Sequence, residues 1–517
     1  MDLISCRQWT LGQLLDQRAQ TSPDKIAYQT EHDTITYGEL MRRANNLAYG
    51  LSSLGVLQGD RVVMSIPNGI DMICLYFAVA KLGAINVFMN PDYDADLLNS
   101  LIDRLQPAVV ILDEANMAKL RLPTQGSIKA KICWPYNDRI AAKNVDEWDF
   151  QDLLSHNDKK PPATRVASSD VVQLIFTSGT TGLPKACCLS HSARISVSAH
   201  INHCLGVSRD DRYFACLPNY HGNLFLGLVG ALLAGASCFV AERFSVSRYW
   251  SQVSRCQATI LVLHAVPLNM LLANATDGAV STTTARAVVT VGGKYVEFIE
   301  RFSLSHAVLG YGSTEAGGLT ALGRVSRDEA GAFPVGYAGR VRGDLEVIVA
   351  DAEGRELPKG QKGEILVRSI VPHVMFSGYY GLPDATAKAF RGSWYCSGDY
   401  GYIDENNDLY FVGRSNDTVR VKGESIPVEY LEGLIRQCDG VEDCAVLGVD
   451  SSLGDDELQV FIQRRELAAM TTEDVIDFLR PRVPKYMIPA AVVFVASFPR
   501  SPATMKILKR KLREKSL

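Results

Sequence analysis

Apolar residues along the first third of this chain recur at two alternating periods. Over 10–21 they fall at helical spacing and stop at Ser22-Pro23. Over 37–54, Leu40, Ala44, Leu47, Ala48 and Leu51 share one helical face, and Gly55 ends the run. Short β-prone runs at 26–28, 34–36, 61–65, 84–88 and 108–112 stand around these helices and a further one at 70–82. Such alternation predicts α/β layering. The pattern resumes at 258–263 and 287–291, and Leu224 to Ala236 is apolar all round, which predicts a buried core helix. At thirteen residues that stretch is short of the ~20 that span a bilayer.

From about residue 344 the spacing shortens to strands and turns (345–349, 364–367, 408–412), which predicts a β-rich subdomain. The last hundred residues alternate again: helix 428–437, strands 444–449 and 458–463, helix 472–481, strand 492–495 and a basic helix from 506. The expected organisation is an α/β protein. A large N-terminal domain of layered sheets plus the β-rich subdomain covers 1–413, a hinge 414–418, and a small mobile α+β domain 419–517.

Composition changes this picture little. A 517-residue chain with 47% hydrophobic and 21% charged residues is an ordinary globular protein. A net charge of −4 argues against a general nucleic-acid partner. The twelve cysteines show no Cys-x-x-Cys spacing, so reduced thiols in a cytoplasmic protein are expected. Met1 to Gln8 lacks the basic-then-apolar order of a secretory signal.

Chemistry concentrates at Ile175-Phe-Thr-Ser-Gly-Thr-Thr-Gly-Leu-Pro-Lys-Ala186, between the apolar runs 171–176 and 186–189. Gly179 and Gly182 let backbone N–H groups approach an oxyanion. Thr177, Ser178, Thr180 and Thr181 add hydroxyl donors, and Lys185 a compact positive charge. The Gly-x-x-Gly-x-x-Lys spacing is not the Walker pattern. It predicts a phosphate-binding loop joining two strands.

Four more segments follow in order: Leu309-Gly-Tyr-Gly-Ser-Thr-Glu315; Trp394-Tyr-Cys-Ser-Gly-Asp-Tyr-Gly401; Gly413-Arg-Ser-Asn-Asp-Thr-Val-Arg-Val-Lys-Gly-Glu424; and Thr504-Met-Lys-Ile-Leu508. With the glycine loop, these resemble the adenylate-forming superfamily: acyl-CoA synthetases, adenylation domains of peptide synthetases, and beetle luciferases. The resemblance runs nearly end to end. It implies that a carboxylate attacks the α-phosphate of ATP, giving an acyl-adenylate and pyrophosphate, and that CoA then takes the acyl group. Charge building on phosphoryl oxygens explains the donors, the lysine and a metal.

By that resemblance Thr177 to Lys185 hold the β- and γ-phosphates, Thr314 contacts the α-phosphate, and Glu315 binds Mg²⁺. Tyr311, flanked by Gly310 and Gly312, offers its face to adenine. Asp399 accepts from the ribose hydroxyls, assisted by Arg414, and Lys506 reaches the α-phosphate and carboxylate. His221 gates the acid pocket, with Asn223, Gly292, Gly293, Lys294 and Gly317 around it. Lys422 and Gly423 line the pantetheine tunnel after the small domain turns about Asp417. The implied partners are a small carboxylic acid and CoA or a carrier protein, with no nucleic acid and no membrane span.

Taken singly, each residue has a plainer reading: Glu315 as a helix N-terminal acid, Asp399 as a turn aspartate, His221 as a core histidine, Lys506 as part of a solvated basic face. His200-x-x-His203 has near-metal spacing but no third ligand, so both belong to a helix face. Two departures from the family pattern stand out. Met505 replaces the glycine before the catalytic lysine, where a side chain opposes a positive φ. Lys294 stands where a small residue is usual, and is expected either to contact a polar group of the acid or to face solvent. Two alternatives stay open: transfer to a carrier-protein thiol or an amine, and a nucleotide-binding protein that has lost catalysis.

Overall fold

The computed structural model describes residues 8–121, 128–134, 147–150, 153, 164–177, 183–222, 224–275, 283–329, 331–414, 418–421, 424–450, 456–465, 469–483, 485–501, 505 and 507–513. The chain forms two compact units. One comprises Met1–Ala332, Gly339–Glu346 and Arg368–Tyr395, the other Phe333–Ala338, Val347–Val367 and Cys396–Leu517.

The first unit is built on two sheets. In the seven-stranded one the order is Glu147–Asp149, Ala130–Cys133, Val109–Leu112, Arg61–Ser65, Ile85–Phe88, Val171–Thr177 and Lys185–Ser190. All neighbours are parallel except the last pair, which is a hairpin. Its central strands read as unbroken apolar runs because both faces are covered. In the second sheet this unit contributes, in order, Gly318–Ser326, His306–Ser313, Ala287–Thr290, Ile260–Val262, Arg212–Ala215, Ser237–Val240, Ile26–Gln29 and Thr34–Thr36. Its middle is parallel, and each end closes with an antiparallel pair.

Helices Ile70–Lys81 and Leu224–Ala234 are buried almost all round, as their sequences require. Their aromatic side chains meet, with the Tyr76 and Phe225 ring centroids 4.5 Å apart. The amphipathic helix Leu11–Thr21 starts at a capping box, in which Thr10 and Gln13 satisfy each other's backbone N–H. Among the described residues no helix is long and apolar enough to cross a membrane. No cysteine among the described residues is in a disulfide.

Strands Leu345–Ala350, Gly363–Ser369, Trp394–Ile403 and Asp408–Arg414 lie largely within the second unit. It also holds the hairpin Thr418–Val421/Glu424–Pro427 and a three-stranded sheet, Val441–Asp450, Asp456–Arg464 and Ala491–Val495. Helices Val428–Ile435 and Thr472–Leu479 cover that sheet through Leu431, Ile435, Val475 and Leu479.

Candidate active site

Strands Val171–Thr177 and Lys185–Ser190 pair antiparallel, and their last partners are Thr177 and Lys185. The glycine loop therefore leaves and re-enters the sheet at two adjacent residues, and the Thr177 hydroxyl donates to the Lys185 carbonyl at 3.4 Å. Ser178, Gly179, Thr180, Thr181 and Gly182 lie outside the described residues, as do Asn223, Asp417, Lys422, Gly423 and Lys506.

The second motif is a hairpin tip. Strands His306–Ser313 and Gly318–Ser326 pair antiparallel with a register shift between Tyr311 and Gly312. A Cβ at Gly312 would lie 2.0 Å from the Gly318 carbonyl oxygen, so only glycine permits this approach. Gly317 turns the chain back at φ 79°, and a side chain there would strike the Val374 carbonyl at 2.1 Å. Ser313 caps the tip by accepting from Ala316 N–H at 3.2 Å. Thr314 is half-buried, while Glu315 and Tyr311 are buried.

Between the two motifs stands a residue the sequence reading did not single out. Segment 377–380 adds to the outer edge of the glycine-loop hairpin: Ser377 N–H donates to Cys188 O at 3.0 Å, Cys188 N–H to Gly378 O at 3.0 Å, and Tyr380 N–H to Ala186 O at 2.8 Å. This sets Tyr379 opposite Cys187. The Tyr379 hydroxyl donates to Glu315 Oε1 at 2.9 Å, and Lys185 Nζ stands 4.9 Å from the centre of the same ring. Lys185 and Glu315 are thus held on one tyrosine, although 130 residues separate them in sequence.

Electrostatics at this point are one-sided. Burial, then the Glu315 carboxylate, holds the Tyr379 phenol well above its ordinary pKa, and the same two causes act on Tyr395. Burial and Glu315 likewise raise the Cys187 thiol, which lies in hydrogen-bonding contact with that carboxylate. All three groups stay protonated at neutral pH, and the Tyr379 hydroxyl is the aligned donor to Glu315.

The expected acid-pocket residues are more dispersed. His221 is half-buried in a turn, its N–H donating to Pro218 O at 3.0 Å. Gly292 and Gly293 follow strand Ala287–Thr290 at φ 69° and 85°. Lys294 is neither fully buried nor free: its Nζ lies 3.4 Å from Glu297 Oε1. His200 and His203 stay on their helix; His200 Nδ1 lies 2.8 Å from Ser196 O. Among the described residues no group of three His, Cys, Asp or Glu could hold a metal alone.

In the second unit, Asp399, which is buried, stands opposite Arg414 in the backbone register of strands Trp394–Ile403 and Asp408–Arg414, with Asp399 N–H donating to Ser397 Oγ at 3.0 Å. Met505, next to Lys506, does adopt the left-handed conformation at φ 56°. That costs an L-residue on the order of 1 kcal/mol. Met505 N–H donates to Ser501 O at 2.8 Å, and Arg500 Nη1 donates to Met505 O at 3.0 Å. Arg500 also pairs with Asp443 at 2.5 Å, which ties Arg500 and Met505 to the three-stranded sheet.

Comparison with known proteins gives the family and the fold. The AMP-binding enzyme family profile matches residues 15–380, and the AMP-binding enzyme C-terminal domain profile matches 430–504. The chain is 28% identical over 517 residues to the long-chain-fatty-acid–CoA ligase FadD13 of Mycobacterium tuberculosis, covering 98% of each. It is 25% identical over 537 residues to the crotonobetaine/carnitine–CoA ligase of Proteus mirabilis, covering 99% of this chain and 100% of that one. The fold matches the anthranilate CoA ligase AuaEII in complex with anthranoyl-AMP at TM-score 0.87 and 21% identity, over 100% and 99% of the two chains. ATP-bound MatB from Rhodopseudomonas palustris matches at TM-score 0.81 and 24% identity, over 98% of each.

Proposed function

Because this chain belongs to the AMP-binding enzyme family, we propose that it is an AMP-forming acid–CoA ligase. A carboxylate oxygen of a small organic acid attacks the α-phosphorus of ATP, and the bond to pyrophosphate breaks. The CoA thiol then attacks the acyl carbon of the adenylate, loses its proton, and expels AMP. The observation that carries this reading is the joining of Lys185 and Glu315 through Tyr379. The two most diagnostic motifs meet on one side chain.

In this reading Thr177, the loop 178–182 and Lys185 bind the β- and γ-phosphates, and Thr314 binds the α-phosphate. Tyr311, between Gly310 and Gly312, faces adenine. Asp399 and Arg414 hold the ribose, and Lys506 neutralises charge at the α-phosphate during adenylation. His221, Asn223, Gly292, Gly293, Lys294 and Gly317 bound the acid. Lys422 and Gly423 take the pantetheine arm after a turn at Asp417, within a hinge at 414–418 that divides 1–413 from 419–517.

A magnesium ion suits Glu315, a buried carboxylate with Oε1 already oriented by a phenol. With no other acid clustered there among the described residues, the ion would share that carboxylate with phosphate oxygens, the donor set Mg²⁺ favours. When bound it would offset negative charge on the triphosphate.

The experiment is a panel of aliphatic, aryl and polar acids with ATP and Mg²⁺, with and without CoA. Pyrophosphate release, followed with CoA by a thioester of the matching mass, is the expected result. Pyrophosphate without any thioester would move the acceptor to a carrier protein or an amine. No pyrophosphate from any acid would overturn the reading.

A further inference from the structure

Two arginines are buried among the described residues, Arg194 and Arg342. Arg342 faces a carboxylate, its Nε standing 3.2 Å from Asp344 Oδ1. Arg194 does not. It is 2% exposed, and no carboxylate among the described residues acts on it. Its Nη2 donates to the Gly222 carbonyl at 2.6 Å, and its guanidinium stands 5.8 Å from the centre of the Phe225 ring. The Tyr76 phenol lies against it without completing an aligned hydrogen bond, and Nε has no partner among the described residues.

Position makes this more costly. Arg194 sits in the first turn of helix His191–Leu205, where the helix dipole is positive and an acid is the favoured residue. A guanidinium does not shed its proton to escape burial, and an unbalanced buried charge costs several kcal/mol. The first N–H groups of the helix are already taken by Asp170 O, Ser168 O and Ser190 Oγ, so the anion-seeking group is the buried guanidinium itself.

The neighbours say which anion. Gly222 directly follows His221, and the place of its missing Cβ lies 2.9 Å from Ile175 Cδ1, two residues before Thr177. One turn on from Arg194, Val197 Cγ2 lies 3.1 Å from the Cβ position of Gly318, beside the Ser313–Gly317 tip. The guanidinium therefore borders the His221 turn and lies one helical turn from the adenylation hairpin.

Resting on the ligase reading above, we propose that Arg194 is a specificity-determining residue that pairs with a second carboxylate on the acid substrate, remote from the carboxyl that is adenylated. The substrate class is then a dicarboxylic acid, adenylated at one end and held at the other. The acid rather than the phosphates of ATP is taken as the partner because Arg194 packs on an apolar side, against Phe225 and Tyr76.

The test uses matched acids that differ by one carboxylate, hexanoate against adipate and benzoate against isophthalate, with pyrophosphate release as the readout. The full-length enzyme should favour the diacid of at least one pair in kcat/KM by tenfold or more. R194M, of similar length and uncharged, should shift that ratio at least 100-fold towards the monoacid, while ATP still raises its Tm. R194K keeps the charge without the fork and should fall between; if R194M does not fold, a tenfold drop in the ratio for R194K supports the proposal and an unchanged ratio overturns it. Preference of the native enzyme for both monoacids, or an R194M ratio within threefold of native, also overturns it. Turnover of monoacids alone would leave the ligase reading intact, whereas no pyrophosphate from any acid would remove both.

Discussion

Tyr379 does two separable things with one side chain. Its hydroxyl donates to Glu315, and its ring carries Lys185 on its face. A hydrogen bond to a charged acceptor contributes about 1.5–3 kcal/mol, and a cation–π contact about 0.5–2 kcal/mol. Tyr379→Phe removes only the first. We expect it to raise the KM for Mg·ATP in pyrophosphate exchange about tenfold or more and to increase the Mg²⁺ concentration needed for half-maximal exchange. Tyr379→Leu, which also loses the ring, should be several-fold worse in ATP affinity. Equal effects of the two substitutions would show that the ring face contributes nothing to holding Lys185, and an unchanged Mg²⁺ requirement in Tyr379→Phe would show that the hydroxyl is not what orients Glu315. The individual end points were legible in the sequence, since Gly-x-x-Gly-x-x-Lys and Tyr-Gly-Ser-Thr-Glu declare their chemistry locally. Tyr379 was not, because its importance comes from an edge pairing between 377–380 and 186–188 that no local pattern encodes. Arg194 carried a faint signal, as a lone charge in the small and apolar run 190–198.

Elements were legible where period and punctuation agree. The expected strands at 61–65, 84–88 and 108–112 are observed at Arg61–Ser65, Ile85–Phe88 and Val109–Leu112, and the all-apolar stretch from Leu224 is a buried helix ending at Ala234. Helix Ala95–Leu105 was overlooked, although Asp94 caps it by accepting from Leu97 N–H at 2.8 Å. Which elements touch is a different matter, and His191 illustrates it. The start of its helix was unremarkable in sequence, yet its Nδ1 accepts the Leu11 N–H at 3.1 Å, 180 residues away, and so joins two helix starts. Burial holds its pKa near 4, below the ordinary 6.5, and keeps the ring the neutral acceptor this bond needs. Between those values the unfolded chain takes a proton that the folded one refuses, so stability is full above pH 6.5 and falls as pH drops towards 4. His191 alone should remove about 2 kcal/mol by pH 5. His306, lowered to about 4 by burial and by Arg324 and Arg286, acts in the same direction. Denaturant melts at pH 7 and pH 5 read this directly. His191→Gln, which retains an acceptor for Leu11, should lose about half of the pH-dependent difference; an unchanged difference would assign the effect elsewhere.

At the scale of the whole molecule, the chemistry is divided along the chain. The family matches separate at 15–380 and 430–504, and the motif residues Lys422 and Lys506 fall on either side of the second match. We propose that the C-terminal domain serves the two half-reactions with different surfaces, Lys506 during adenylation and Lys422-Gly423 during thioester formation. The described residues beside Lys506 are tied to the domain. Met505 accepts a left-handed φ, Arg500 binds its carbonyl, and Asp443 fixes Arg500 to the sheet. If Lys506 serves adenylation alone, removing its ammonium should erase one half-reaction and spare the other. Lys506→Ala is expected to lower pyrophosphate release at least 100-fold, the scale on which a positioned charge at a developing oxyanion acts. The same variant, given chemically prepared acyl-adenylate and CoA, should form thioester within about threefold of the native rate. Loss of both steps in equal measure, with the ATP-induced rise in Tm retained, would mean that one face of the domain serves both reactions and that no turn about 414–418 is needed.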